Sequence, residues 1–304
     1  MTFGKYAEKY LSEKKKEVRP QTMAAYKVKC KPLYEEFGET ELADIDIPMI
    51  RAYAKKRCEK YAPKTVSLEI VLLKTMLNTA AEERLCPALP QFSVHLPLIV
   101  REYRLLTDEE FDRLYSYCTK RHDYVCTGTL IGMNTGMRIG EICALKKSDI
   151  DFNNCVISVT KTTSTWSDPD THKYHCEVGV TKTPAGRRHI PITHEFATIL
   201  YRRLEKKKPD EYVLVFQNKH ADPRAFRYAY NRILEHLGIE HVKFHNLRHG
   251  FATRMIERGV DPKTAAAFLG HANCNTTLNI YTNCTEKMKR DALEKIWSDL
   301  NDRQ

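Results

Sequence analysis

Pro87, Pro90 and Pro97 lie within residues 86–104, a stretch without apolar periodicity. Each proline removes a backbone donor and biases the residue before it away from helix, so regular structure is hard to sustain there. This segment constrains the fold more than any other feature, because as a linker it leaves residues 1–85 and 105–304 to bury cores of their own. A chain of 304 residues is long enough for two domains.

Residues 1–85 read as helical throughout. Phe3, Tyr6, Ala7, Tyr10 and Leu11 keep one stripe. A second helix is expected from about Thr22 to Gly38, with Pro32 forcing a kink or an earlier end. Pro48 and Pro63 suit first helical positions, where no hydrogen bond is lost. After Pro63, the residues Val66, Ile70, Leu73, Leu77 and Ala80 recur at alternating steps of four and three, the signature of a helix with one buried face.

Beyond the linker, Thr107 and Glu110 form a capping-box pattern that marks the start of the second domain. Residues 123–133 form a mostly apolar, buried helix that ends at Asn134-Thr135-Gly136, and another helix begins near Arg138 and runs to about residue 145. Arg138 lies between Met137 and Ile139, so it is expected to be partly buried and to need an anion, either Glu141 one turn on or a phosphate. A strand at 155–160 is followed by a polar insert, 161–176. A hairpin is expected next, with 178–182 pairing to 188–192 across Pro184-Ala185-Gly186. Helices follow at 194–207 and 223–237, the second carrying Arg224, Arg227 and Arg232, with a short strand at 212–216 between them. A further helix begins near His245, and the short apolar helix 264–269 ends at Gly270-His271. The chain is therefore expected to be mainly α with a small β-sheet, an α+β class.

The net charge is +10, with basic clusters at Lys14, Lys15, Lys16 and Arg19 and at Lys55, Lys56, Arg57, Lys60 and Lys64. This favours a polyanionic partner, nucleic acid before an acidic membrane surface, although a charge run also serves simply as a solvated face. The ten cysteines are scattered without a C-x-x-C pair, no signal peptide opens the chain, and no apolar run approaches the ~20 residues of a membrane span. A reducing cytoplasmic setting without membrane attachment is expected.

His172, His175 and Cys176 lack a second ligand pair at zinc-site spacing, and His271 with Cys274 is no better. Neither a P-loop nor a dinucleotide fingerprint is present, and no carboxylate set suggests two-metal chemistry. No cofactor or metal is expected. What remains is cationic: Arg138, Lys182, His245, Arg248 and His271, followed by Tyr281. Arginine forks suit the non-bridging oxygens of a phosphate, and a phenol with an ordinary pKa near ~10 needs such neighbours to become a nucleophile.

The blocks T-G-M-R-I-G-E-I-C-A-L (135–145), T-K-T-P-A-G-R-R-H-I-P-I (181–192), H-N-L-R-H (245–249), L-G-H (269–271) and I-Y-T (280–282) occur in that order. Together they resemble the tyrosine recombinase (phage integrase) family over the whole chain. The resemblance implies a helical, SAM-like core-binding domain at 1–85, a linker at 86–104, and a mixed α/β catalytic domain with a C-terminal helix at 105–304. The two domains would close as a C-shaped clamp on double-stranded DNA. It implies that Tyr281 attacks the phosphodiester, forming a 3′-phosphotyrosine and freeing a 5′-hydroxyl. Arg138 and Arg248 would clamp the phosphate, Lys182 would protonate the leaving oxygen, His245 would act as acid/base, and His271 would hydrogen-bond the phosphate. Lys161 and Lys173 are the alternatives to Lys182, and Glu141 occupies a supporting position. The implied partners are specific DNA sites, further copies of the chain in a tetrameric synapse, and an accessory DNA-bending or directionality protein. The segment after Cys284 would pack on a neighbouring copy or on its own domain. Integration and excision of a mobile element is the leading activity. Chromosome-dimer resolution of the Xer type, type IB topoisomerase action and an inactive architectural protein are the rivals.

Overall fold

The computed structural model describes residues 1–97, 103–181 and 184–270, with Arg290 and Glu294 beyond. The chain forms two units, one of Met1–Glu102 with Trp166–His175, the other of Tyr103–Thr165 with Cys176–Gln304.

The first unit is built on four helices: α1 (Phe3–Glu17), α2 (Pro20–Phe37), α3 (Ile47–Cys58) and α4 (Pro63–Glu82). Pro20, Pro48 and Pro63 all lie in first turns, where a missing donor costs nothing. Contrary to the sequence expectation, α2 begins before Thr22 and continues through Pro32. Pro32 is buried with Cys30, Leu33 and Phe37, in a helix that packs on α1 and α4, and this packing carries the helix across the lost hydrogen bond. Val66, Ile70, Leu73, Leu77 and Ala80 are all buried, and each of the larger side chains contributes roughly 2 kcal/mol on leaving water. Glu69 is buried beside them. It accepts the Tyr53 hydroxyl at 2.7 Å and two Arg57 N–H groups at 3.2 Å, which offsets the cost of burying a carboxylate.

The second unit opens with α5 (Asp108–Thr119), whose capping box is complete: Glu110 N donates to Thr107 Oγ1 at 3.2 Å, and Thr107 N to Glu110 Oε2 at 3.1 Å. Next come α6 (Tyr124–Thr135) and the short α7 (Ile139–Cys143). The strands that follow along the chain are β1 (Ile150–Asp151), β2 (Val156–Val159), β3 (Lys161–Ser167), β4 (Tyr174–Val180) and β5 (Arg188–Pro191), of which the end of β3 from Trp166 and the start of β4 to His175 belong to the first unit. The rest is α8 (His194–Leu204), β6 (Val215–Phe216), β7 (Lys219–His220), α9 (Pro223–His236), α10 (Phe244–Glu257) and α11 (Pro262–Leu269). α6 is buried on nearly every side and forms the spine on which α5, α7, α9 and α10 pack. Phe226 and Tyr230 of α9 meet Phe244 of α10 edge to face, at 5.1 and 5.2 Å between centroids.

The expected hairpin does not form. β5 pairs with β2 in the antiparallel order β1-β2-β5, whereas β4 pairs with β3, so the polar insert is itself half of a two-stranded ribbon. The register of β5 is decided by Ile190 opposite Ile157, both fully buried, a pair that the Val178 segment cannot supply. The architecture is mainly α with small antiparallel sheets. Among the described residues, no helix is long and apolar enough to cross a membrane.

Candidate active site

The site forms where α6 ends and α7 begins. Gly136 closes α6 with φ +61°, a left-handed turn that favours glycine. Arg138 follows as the residue capping α7. Its backbone N–H donates to Glu141 Oε2 at 3.0 Å, and its Nη1 donates to Glu141 Oε1 at 2.8 Å. The other terminal nitrogen, Nη2, donates to the Gly270 carbonyl at 3.3 Å, across to the end of α11.

Glu141 is only 3% exposed. Its second cation is Arg188 of β5, a residue to which the motif blocks alone assign no role. Arg188 donates to both carboxylate oxygens, at 3.2 and 2.9 Å, and its Nε–H to the Phe268 carbonyl at 2.8 Å. Burial pushes the Glu141 pKa up, but the Arg188 and Arg138 interactions outweigh it and hold the group below the usual carboxylate range. Strand alternation was the available signal, since it puts Arg188 on the same face as the core residue Ile190.

Arg248 enters from the second turn of α10 and is 3% exposed. Its Nη1 donates to the Gly136 carbonyl at 3.0 Å and its Nη2 to the Leu269 carbonyl at 2.7 Å. Both acceptors lie at helix C-termini, where the backbone presents partial negative charge. Burial first, and then the nearby Arg138 cation, push the Arg248 pKa down to about 9; Glu141 opposes this and Arg188 adds to it. Arg248 is therefore a protonated but under-compensated cation at neutral pH, which favours an incoming anion.

His245 lies one turn before Arg248 on an open face of the site. Desolvation by the protein beneath it, then the neighbouring His249, Arg248 and Arg138, push its pKa down to about 4, so the imidazole is neutral at physiological pH. The structure thus brings together Arg138, His245 and Arg248, with Glu141 and Arg188 behind the first arginine. Lys182, His271 and Tyr281 lie outside the described residues. Lys161 opens β3, and Lys173 stands in the turn before β4, where its carbonyl accepts from Asp168 N at 2.9 Å. His175, set aside as a metal ligand, lies in β4 and stacks on Trp166 at 4.9 Å between ring centroids. Among the described residues, no group of three or more His, Cys, Asp or Glu side chains is placed to hold a metal ion.

The sequence pattern of the phage integrase family matches residues 104–288, and that of the phage integrase N-terminal SAM-like domain matches residues 2–56. Fold and sequence together define a DNA strand-transferring enzyme of the tyrosine recombinase class. The chain belongs to the phage integrase family. It is similar to tyrosine recombinase XerA of Thermococcus onnurineus, 29% identical over 287 residues covering 91% of this chain and 89% of that protein. It also resembles the transposase from transposon Tn916 of Enterococcus faecalis, 29% identical over 217 residues covering 64% of this chain and 50% of the transposase. Among solved structures, the Tn1549 transposon integrase in complex with transposon right end DNA shares the fold. The TM-score is 0.81 at 21% identity, covering 97% of this chain and 99% of that one.

Proposed function

We propose that the chain is a site-specific recombinase that integrates and excises a mobile element through a 3′-phosphotyrosine on Tyr281. The observation that carries this reading is the convergence of Arg138 and Arg248 on the Gly136 turn and the Leu269-Gly270 helix end. Two guanidinium forks there suit the non-bridging oxygens of one phosphodiester and the extra charge they gain in the transition state. The Tyr281 oxygen bonds to phosphorus as the bond from phosphorus to the 5′-oxygen breaks. Lys182 protonates the departing oxygen, neutral His245 accepts the phenolic proton, and His271 donates to a phosphate oxygen. The bond energy stays in the phosphotyrosine, so the reverse attack by another strand's 5′-hydroxyl reseals DNA. Specific duplex sites, a tetrameric synapse of this chain and an accessory DNA-bending or directionality protein complete the proposal. Similarity to the Tn916 transposase supports the mobile-element assignment.

The experiment is a nicked suicide duplex carrying the junction of the candidate element. A covalent protein–DNA adduct is expected, lost in Tyr281→Phe and severely reduced in Arg248→Lys, because a lysine cannot reproduce the planar fork. An adduct that persists in Tyr281→Phe overturns the nucleophile, and binding without any adduct points to an architectural role. The match to XerA over nearly the full length of both chains favours chromosome-dimer resolution as the second reading. Adducts on a chromosomal site but not on element junctions would select it.

A further inference from the structure

Tyr103 lies at the end of the proline-bearing segment 86–104 and is 66% exposed, so core burial does not account for its placement. Its ring lies nearly parallel to that of His249, 4.9 Å between centroids at 21°. His249 in turn meets His245, one helical turn earlier on α10, edge to face at 4.8 Å and 89°. The three rings form a continuous stack that ends at His245. The next residue fastens the same segment: Asn246, itself buried, donates from Nδ2 to the Arg104 carbonyl at 2.9 Å. The Arg104 guanidinium is held by Glu110 at 2.6 Å and Glu240 at 2.9 Å. Residues 103 and 104 thus strap the first two turns of α10.

We infer that Tyr103 and His249 are positioning residues that set the ring orientation and solvation of His245 through this stack. The inference rests on the proposed acid–base role of His245. An exposed imidazole on a helix has several accessible rotamers, and a ring packed perpendicular to it at 4.8 Å removes some of them. His249 itself would be free to swing without the Tyr103 ring over its face. The titratable and charged groups acting on His245 are His249 and Arg248 from α10 and Arg138 from the start of α7. None of these is altered chemically by changing Tyr103, so a change at His245 in a Tyr103 variant reports the stack.

The test uses the full chain with isotopically labelled histidine. In Tyr103→Leu, the ring titration midpoint of His245 is expected to rise towards the ordinary imidazole value, and its ring-to-ring cross-peaks with His249 to weaken. Tyr103→Phe, which keeps the stack, should behave as the parent. On a nicked suicide duplex, adduct formation by Tyr103→Leu should slow about tenfold with DNA affinity retained, and Tyr103→Phe should restore it. A folded Tyr103→Leu protein with an unchanged His245 midpoint and unchanged adduct rate overturns the inference. If the midpoint moves while His245→Ala still forms adduct at the parental rate, the stack stands and the acid–base reading of His245 falls.

Discussion

Replacing Arg188 by glutamine would leave the Glu141 carboxylate buried with Arg138 as its one charged partner among the described residues. Breaking a buried pair in this way costs about 3 kcal/mol, a loss visible as a lower denaturant midpoint with an unchanged slope. Adduct formation should fall as well, since the Glu141 carboxylate that orients the Arg138 fork is no longer fixed from its other side by Arg188. At His245 the consequence is a pH dependence. An unfolded histidine titrates near ~6.5, whereas the folded one is pushed down to about 4. The unfolded chain therefore binds the proton first, and stability is lost as pH falls from about 6.5 towards about 4, with no further loss from this group below that. A histidine ring titration should give the low midpoint directly, and adding inorganic phosphate should raise it, because the anion favours the imidazolium. Arg138, Arg248 and His245 were legible from motif order, and Glu141 from its spacing to Arg138. Arg188 was not, because of the adjacent arginines only one faces the core, and that follows from the pairing of β5 with β2 rather than with residues 178–182.

At the scale of elements, α7 is held so close to β3 that only glycine fits between them. A Cβ on Gly140 would stand 2.6 Å from the Thr163 carbonyl oxygen and 2.7 Å from Thr162 Oγ1. Gly140→Ala must therefore push α7 from the strand, costing about 2 kcal/mol by overpacking and displacing Arg138, which caps α7, and Glu141, which lies within it. The thermal midpoint should drop, and adduct formation should drop further than the lost stability alone explains. A variant with parental adduct rates would show that α7 tolerates the shift. Helices were easy to read because their apolar spacing and caps are local, as with Thr107 and the α4 stripe. The ribbon β3–β4 was not, because both faces carry polar side chains and alternation of burial is weak. Thr162, Thr163, Thr165 and Trp166 were the remaining strand signal, a matter of propensity alone. Pro32 misled for the opposite reason: a local rule pointed to a break, and packing on α1 and α4 overrode it.

For the whole molecule, 49 basic against 39 acidic residues leave a positive excess, and how much of it meets phosphate is measurable. α9 presents Arg224, Arg227 and Arg232 on exposed positions, with Phe226, Tyr230 and Leu234 buried on the other side. Each arginine that neutralises a phosphate releases condensed counterion, so the logarithm of the binding constant falls with the logarithm of salt by ~0.9 per contact. Changing all three to glutamine should make that slope shallower by about 2.7 if each makes one contact, and leave it unchanged if they form only a solvated face. The burial pattern gives no reason for the fold to suffer, so thermal midpoints of parent and variant should agree closely. Measuring binding to a non-specific duplex and to the candidate junction separates two roles. A uniform loss on both would assign the arginines to the backbone, whereas a larger loss on the junction would assign at least one of them to base edges.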